Sequence, residues 1–124
     1  MTVIRHAEGV RHEMHGATFA SYVAPTRGSE QLCAWRVSVP PGTHGQPHAV
    51  SHEEVFLVLS GSPSLTIDGH ASDLEPGDVA LVRAGSSVQL DNRGAEEAVA
   101  WVSTRVGLEA VLADGTRVAP PWAC

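Results

Sequence analysis

The residues best suited to carry chemistry in this chain lie in one polar stretch, 43–54. It contains the histidines His44, His48 and His52 and reaches the carboxylate Glu54. A histidine and a carboxylate that face the same apolar interior form an acid–base pair, because histidine titrates near neutrality and burial raises the pKa of a carboxyl group. His48 and Glu54 are therefore the candidate catalytic residues, unless the two side chains only hydrogen-bond to each other.

Glu54 stands near the start of the strongest strand pattern in the chain, 53–59. Side chains alternate between the two faces of a strand, so Glu54, Phe56 and Val58 share one face. We expect this face to line the interior of the protein and Phe56 to contact a bound ligand.

Arg36 lies in a second alternating run, 31–39, next to Trp35. If Trp35 faces outward to a partner sheet, alternation turns Arg36 inward, where its guanidinium group could bind an anionic ligand. The alternative is an Arg36 side chain at the surface. Arg36 is included among the candidate ligand-binding residues on the first interpretation.

Turns separate many short apolar runs along the chain. Pro40-Pro41-Gly42 ends one run, Asp68-Gly69 is the dipeptide of a two-residue hairpin, and Pro76-Gly77-Asp78 is a further turn. No segment shows a long helical period. Short strands at intervals of roughly 10 residues predict an all-β sandwich or barrel.

Length and composition fit one globular domain of 124 residues, of which 43% are hydrophobic and 18% are charged. All eight cations are arginine, and the net charge of −6 argues against nucleic acid or an anionic membrane as a partner. The two cysteines, Cys33 and Cys124, are too few for a disulfide framework. The N-terminus lacks the apolar run of a signal peptide, and no run approaches the roughly 20 apolar residues of a membrane span, so we expect a cytoplasmic protein.

The order and spacing of these residues resemble the cupin superfamily, whose domains are jelly-roll barrels, also described as double-stranded β-helices. The first cupin motif runs from a Gly through His-x-His to a Glu and a second Gly, and the second motif begins with Pro-Gly-Asp. The matching residues are Gly42, His48, Glu54 and Gly61 in the first motif, and Pro76-Gly77-Asp78, Gly85 and Asn92 in the second. The resemblance covers about 31–106 and implies a single all-β cupin domain, with an N-terminal arm at 1–16 and a C-terminal tail at 107–124.

The resemblance also implies a metal site, from which this chain departs. In cupins, both histidines of the first motif, its Glu and a His of the second motif usually bind one divalent metal. His48 and Glu54 keep two of these positions, but Val50 and Val88 occupy the other two and cannot donate an electron pair to a metal. We therefore expect no cofactor or, alternatively, a weakly bound divalent metal.

Three polar residues nearby could replace the missing ligands. His52 lies just before Glu54 and is the first candidate, so a metal, if present, would be held by His48, His52 and Glu54. His44 and Gln89 are further candidates. The alternative for each of the three is a position that faces away from the interior.

Val50, Phe56 and Val88 make the expected interior apolar, and together with Arg36 they are the candidate ligand-binding residues. The first functional hypothesis is an enzyme that applies acid–base chemistry of the isomerase, lyase or cyclase type to a small molecule inside the barrel. One alternative is a non-catalytic cupin that binds or senses a small ligand. Another is a metal-dependent cupin oxygenase with a non-standard ligand set.

The expected partners are a small-molecule ligand and a second copy of the chain. Exposed edge strands invite pairing between chains, so we expect a homodimer. The strand that contains Phe19 and the apolar segment 106–122 are the expected contact surfaces.

Overall fold

The computed structural model describes residues 2–124, and strands dominate this part of the chain. The strands are β1 (Val10–Met14), β2 (Ala17–Val23), β3 (Leu32–Val39), β4 (His48–Val50), β5 (Glu54–Ser60), β6 (Ser64–Ile67), β7 (His70–Asp73), β8 (Val79–Val82), β9 (Ser87–Asp91), β10 (Ala98–Arg105), β11 (Ala110–Val111) and β12 (Arg117–Val118). Short 3-10 helices cover His6–Glu8, Pro25–Arg27 and Pro121–Ala123. No helix within 2–124 is long and apolar enough to cross a membrane.

The strands form two six-stranded sheets. The first sheet has the strand order β1-β2-β3-β10-β5-β8, and the second has the order β12-β11-β4-β9-β6-β7. The chain passes back and forth between the sheets, since β3 and β5 belong to the first and β4 and β6 to the second. This winding is the expected jelly roll, and the prediction of an all-β fold is confirmed.

Two hairpin turns with positive backbone φ angles join neighbouring strands. Asp68 and Gly69 have φ angles of 49° and 83° between β6 and β7, as the two-residue hairpin expected from this dipeptide requires. His15 and Gly16 have φ angles of 52° and 81° between β1 and β2. Such turns fix the register of the strands they join, and therefore which side chains face the interior.

The space between the sheets is filled mainly by apolar side chains. On β3, Trp35 and Val37 are only 3% and 1% exposed. On β5, Glu54, Phe56 and Val58 are all buried, as the alternation of that strand predicts. The interior therefore contains one strand face that carries an ionisable group among apolar neighbours.

Both terminal segments take part in the sheets. The segment 1–16 contributes β1, which pairs with β2, and the segment 107–124 contributes β11 and β12, of which β11 pairs with β4. The last 3-10 helix brings Trp122 onto β2, where its ring stacks on Phe19 with the ring centroids 3.7 Å apart. The expected arm and tail are thus packed against the rest of the domain, apart from residue 1, which lies outside the described residues.

Candidate active site

A cavity of about 330 Å³ lies between the two sheets. Its wall is mostly apolar and includes Phe19, Trp35, Val50, Phe56, Val88 and Trp122. The two candidate catalytic side chains, His48 and Glu54, also line it. A cavity of this size, with apolar walls and few polar groups, is typical of small-molecule sites.

Glu54 is a buried carboxylic acid within this cavity. It is the first residue of β5, pairs with Val82 of β8, and is only 4% exposed. Burial raises the pKa of Glu54 from its usual 4.5 to about 7, and no hydrogen-bond donor or cation among residues 2–124 offsets this effect. A carboxyl group with a pKa near neutrality can take up and release protons at physiological pH, as general acid–base catalysis requires.

His48 presents one ring nitrogen to the chain and keeps the other free. It is the first residue of β4, is half-buried, and pairs with Val88 of β9. Its Nδ1 lies 3.0 Å from the carbonyl oxygen of Gln46. Because a carbonyl oxygen only accepts hydrogen bonds, Nδ1 carries the proton, and Nε2 of the neutral ring is left as an acceptor.

His48 and Glu54 line the same cavity without a hydrogen bond between them. The side-chain partner of His48 is the Gln46 carbonyl, and no partner of Glu54 is found among the described residues. The alternative in which the two side chains only bond to each other is therefore not what the structure shows. Each remains available to a ligand.

Val50 and Val88 occupy the cavity wall where the cupin resemblance places two metal ligands. Each is only 2% exposed, and both contact the cavity together with Phe56. Their aliphatic side chains make this part of the wall apolar. The three residues stay candidates for ligand binding.

Arg36 lies outside the cavity, which corrects its assignment as a ligand-binding residue. The orientation of β3 is the reverse of the one that would turn Arg36 inward, because Trp35 lines the cavity and is 3% exposed. Arg36 faces the opposite side of the sheet, where it lies across from Ala20 and Trp101. The large apolar indole of Trp35 gains more from burial than the guanidinium group of Arg36, which would need a buried counter-charge.

The additional metal-ligand candidates do not join His48 and Glu54. His52 follows β4 in the loop and pairs its Nδ1 with Ser51 Oγ at 2.8 Å, away from the cavity wall. His44 is 76% exposed, with its Nδ1 3.3 Å from Asp91 Oδ1. His44 and His52 both lie outside the cavity. The proposal that either one completes the ligand set of His48 and Glu54 is therefore corrected.

Gln89 does not turn into the cavity either, because its amide nitrogen donates to the carbonyl oxygen of Gly45 at 3.2 Å. Within 2–124, no three His, Cys, Asp or Glu side chains are grouped so that they could share a metal ion. Two protein donors, His48 and Glu54, seldom hold a transition metal tightly, since catalytic sites commonly use three. The donor set of this cavity therefore does not fit the metal centre that the cupin resemblance implies.

Several polar residues of the cavity were not predicted from the sequence. Gln46 and Thr43 reach it from the loop before β4, His15 from the β1–β2 turn, and Glu109 from the segment before β11. Only contacts between distant parts of the chain bring His15 and Glu109 here. The one local signal was Gly16, because glycine favours the positive φ angles of tight turns, and the φ angle of Gly16 is 81°.

The two wound sheets and the cavity between them define a jelly-roll barrel with an internal cavity. The chain belongs to the cupin family: the family described as the cupin domain matches residues 35–105, more than half of the chain. No curated protein matches the chain.

Several solved structures share the fold. The polyketide cyclase RemF from Streptomyces resistomycificus is 16% identical, with a TM-score of 0.77, 90% of this chain covered and 86% of the other. A predicted oxalate decarboxylase from Thermotoga maritima is 18% identical, with a TM-score of 0.74 and coverages of 84% and 98%. KdgF from Halomonas sp. is 17% identical, with a TM-score of 0.71 and coverages of 84% and 93%. At these identities the likeness concerns the fold.

Proposed function

We propose that this cupin is an enzyme that performs acid–base chemistry of the isomerase, lyase or cyclase type on a small organic molecule in its cavity. The observation that carries the proposal is the carboxyl group of Glu54, buried in an apolar cavity without a partner among the described residues. An unpaired buried polar group costs stability, so a fold that had no use for it would favour an apolar residue there.

The walls favour an uncharged substrate that contains rings. None of the arginines lines the cavity, and the chain has no lysine, so an anionic group would enter without a counter-charge. Phe19, Trp35 and Trp122 offer flat apolar surfaces on which a ring can pack. A polyketide cyclase is among the proteins with this fold, and a ring-closing reaction on an uncharged, carbonyl-containing molecule suits the same walls.

The two polar groups take distinct roles in this proposal. Glu54, as the carboxylate, accepts a proton from a carbon next to a carbonyl group and, as the acid, returns it to the product. His48 offers Nε2 as the second proton acceptor or as an acceptor for a substrate hydroxyl group. The apolar wall around Glu54 excludes water and strengthens each of these interactions.

The proposed chemistry uses side chains of this chain alone. The alternative of a metal-dependent oxygenase would require more ligands than His48 and Glu54 supply, and we derive no step through a metal. The alternative of a non-catalytic binding module uses the same cavity and predicts binding without turnover.

A proton-exchange assay distinguishes these functions without knowledge of the natural substrate. The probe is a tetralone, an uncharged fused-ring ketone with exchangeable hydrogens next to the carbonyl group. Its binding is followed by quenching of tryptophan fluorescence, since Trp35 and Trp122 line the cavity, and its exchange in deuterated water is followed by NMR. We expect the protein to bind the probe and accelerate exchange.

The matched variants are Glu54→Gln, which should abolish the acceleration and retain binding, and Arg36→Gln on the outer face, which should retain both. Binding with equal exchange rates for the wild type and Glu54→Gln would contradict the enzyme and support the binding module. Failure of the probe to bind would contradict the proposed substrate class.

A further inference from the structure

Two side chains of β9 hold the loop before β4 at Gly45. The Gly45 N–H donates to Asp91 Oδ1 at 2.9 Å, and the Gly45 carbonyl oxygen accepts from Gln89 Nε2 at 3.2 Å. Gln89 Nε2 also lies 3.3 Å from the same Asp91 oxygen. Both polar groups of Gly45 are thus fixed by this arrangement, which we call the Gly45 clamp (Gly45, Gln89 and Asp91).

Groups of the loop in turn stabilise the buried carboxylate of Asp91. The residue is only 1% exposed, and a buried carboxylate is stable only where hydrogen bonds or charges compensate it. In addition to Gly45 and Gln89, His44 Nδ1 lies 3.3 Å from Oδ1 and Arg93 lies 3.8 Å from Oδ2. The carboxylate therefore gathers several donors from the loop and from its own strand.

The backbone of Gly45 lies directly against that of β9. A Cβ atom at this residue would lie 2.2 Å from the carbonyl oxygen of Leu90, so no side chain is accommodated. Backbone bonds join the loop to β9 nearby as well, from Asn92 N to the Thr43 oxygen at 2.9 Å and from Gly42 N to the Asn92 oxygen at 2.8 Å. The loop is consequently in close backbone contact with β9.

The next residue along the loop, Gln46, connects the Gly45 clamp to the cavity. Its carbonyl oxygen accepts the hydrogen bond from His48 Nδ1 at 3.0 Å. A neutral histidine side chain in solution prefers the proton on Nε2, and the hydrogen bond made by one nitrogen decides which one carries it in a protein. The direction of the Gln46 carbonyl therefore sets the tautomer of His48.

We propose that Asp91 and Gln89 are positioning residues: by clamping Gly45 they aim the Gln46 carbonyl at His48 and hold that histidine as the Nδ1–H tautomer, with Nε2 free to accept a proton from the molecule in the cavity. The use of Nε2 rests on the proposed function. The tautomer itself is a property of the protein without substrate, and it can be measured without turnover.

Long-range ¹⁵N–¹H NMR correlations of protein labelled at histidine report the tautomer directly, with His48 assigned from the spectrum of His48→Gln. At a pH above the titration of the ring, we expect wild-type His48 to be mainly the Nδ1–H form. Gln89→Leu removes the bond to the Gly45 carbonyl, and Asp91→Ala removes the bond to its N–H. We expect the Nε2–H form to become the major one in Asp91→Ala and to increase several-fold in Gln89→Leu.

Arg93→Gln is the matched control, because Arg93 contacts the other oxygen of Asp91 and not the loop, and its spectrum should match the wild type. If Asp91→Ala does not fold, the spectrum of Gln89→Leu alone tests the proposal. A wild-type His48 in the Nε2–H form, or an unchanged Nδ1–H form in Gln89→Leu, would overturn the proposal. The expected tautomer shift without any proton exchange in the tetralone assay would instead retain the positioning role and overturn the proposed function.

Discussion

The ionised form of Glu54 destabilises the folded state. In the unfolded chain its carboxyl group titrates near its usual pKa of 4.5, and in the folded protein burial raises the pKa to about 7. The stabilisation that comes from the protonated form is fully present below the pKa that Glu54 has in the unfolded state. It is lost as the pH rises through the pKa that Glu54 has in the folded state. A pKa shift of this size corresponds to a loss of about 3 kcal/mol in the free energy of unfolding between these two pKa values.

Glu54→Gln should remove this pH dependence, because the amide is uncharged at every pH. We expect the variant to be more stable than the wild type by up to about 3 kcal/mol near pH 8 and by little near pH 5. Urea unfolding at both pH values measures the difference. The control is Glu109→Gln, at a side chain that is 38% exposed and paired with Arg117. Parallel stability curves for the wild type and Glu54→Gln would contradict the buried acid.

The ligand set of the cavity determines its metal affinity. With valine at positions 50 and 88, we expect the purified protein to lose any divalent metal on dialysis against a chelator, as measured by elemental analysis. The double variant Val50→His with Val88→His supplies two further nitrogens on the same wall and should retain zinc. A wild-type protein that keeps one equivalent of metal after dialysis would contradict this expectation.

Among the elements, the C-terminal 3-10 helix Pro121–Ala123 closes one side of the cavity. Trp122 stacks on Phe19 with an interplanar angle of 6° and meets Trp35 edge-on at 6.5 Å. Its carbonyl oxygen accepts a hydrogen bond from Ser21 Oγ at 2.7 Å. The helix thus joins the end of the chain to β2 and β3.

Trp122→Ala should open the cavity and lower the free energy of unfolding by roughly 3 kcal/mol, because a large buried ring is lost. The control is Trp101→Ala, since Trp101 is half-buried on the outer face beside Tyr22. We expect the control to lose less stability and to bind the tetralone normally, whereas Trp122→Ala binds it more weakly. Equal effects of the two substitutions would show that the helix does not form the cavity.

The sequence predicted those elements whose own residues specify them. Alternation predicted the buried face of β5, and Asp68-Gly69 predicted the hairpin between β6 and β7. β11 and β12 are two residues each and too short to alternate. β11 is a strand because it pairs with distant β4, and β12 is a strand because it pairs with β11. Alternation separates the faces of β3 but does not say which face is inside, so the side that Arg36 occupies could be read only from the structure.

The candidate site was predictable to the same limited extent. Motif spacing placed His48 and Glu54, together with Val50 and Val88, in one interior. The Gly45 clamp was not predictable, since it depends on the approach of the loop to β9. The contact between Phe19 and Trp122 was not predictable either, because the two residues are far apart along the chain.

For the whole molecule, the homodimer stays a prediction, but its expected surface changes. Phe19 and Trp122 pack on each other within the chain, so they are not free to form the contact. Four of the eight large exposed apolar side chains share the outer face of neighbouring β5 and β8, and they are Val55, Leu59, Val79 and Leu81. The other four, Val3, Val10, Met14 and Leu32, lie elsewhere. Because β8 is an edge strand of the first sheet, a second copy can cover this face.

Light scattering should give a mass twice the 13.0 kDa of the chain. The double variant Val79→Asp with Leu81→Asp should give the mass of one chain and retain the fold, since both side chains are exposed. A wild-type mass of one chain would contradict the dimer, and a dimeric double variant would contradict its surface.

The protonation of Glu54 tests the proposed chemistry most directly. Carboxyl carbons of glutamate labelled with ¹³C can be followed by NMR as the pH is raised, and the Glu54 signal is assigned by its absence from Glu54→Gln. We expect a midpoint at a pKa of about 7, well above the usual 4.5 of a glutamate carboxyl group. A midpoint near the usual 4.5 would mean that the carboxyl group is solvated or paired, and would contradict a buried acid–base group in this cavity.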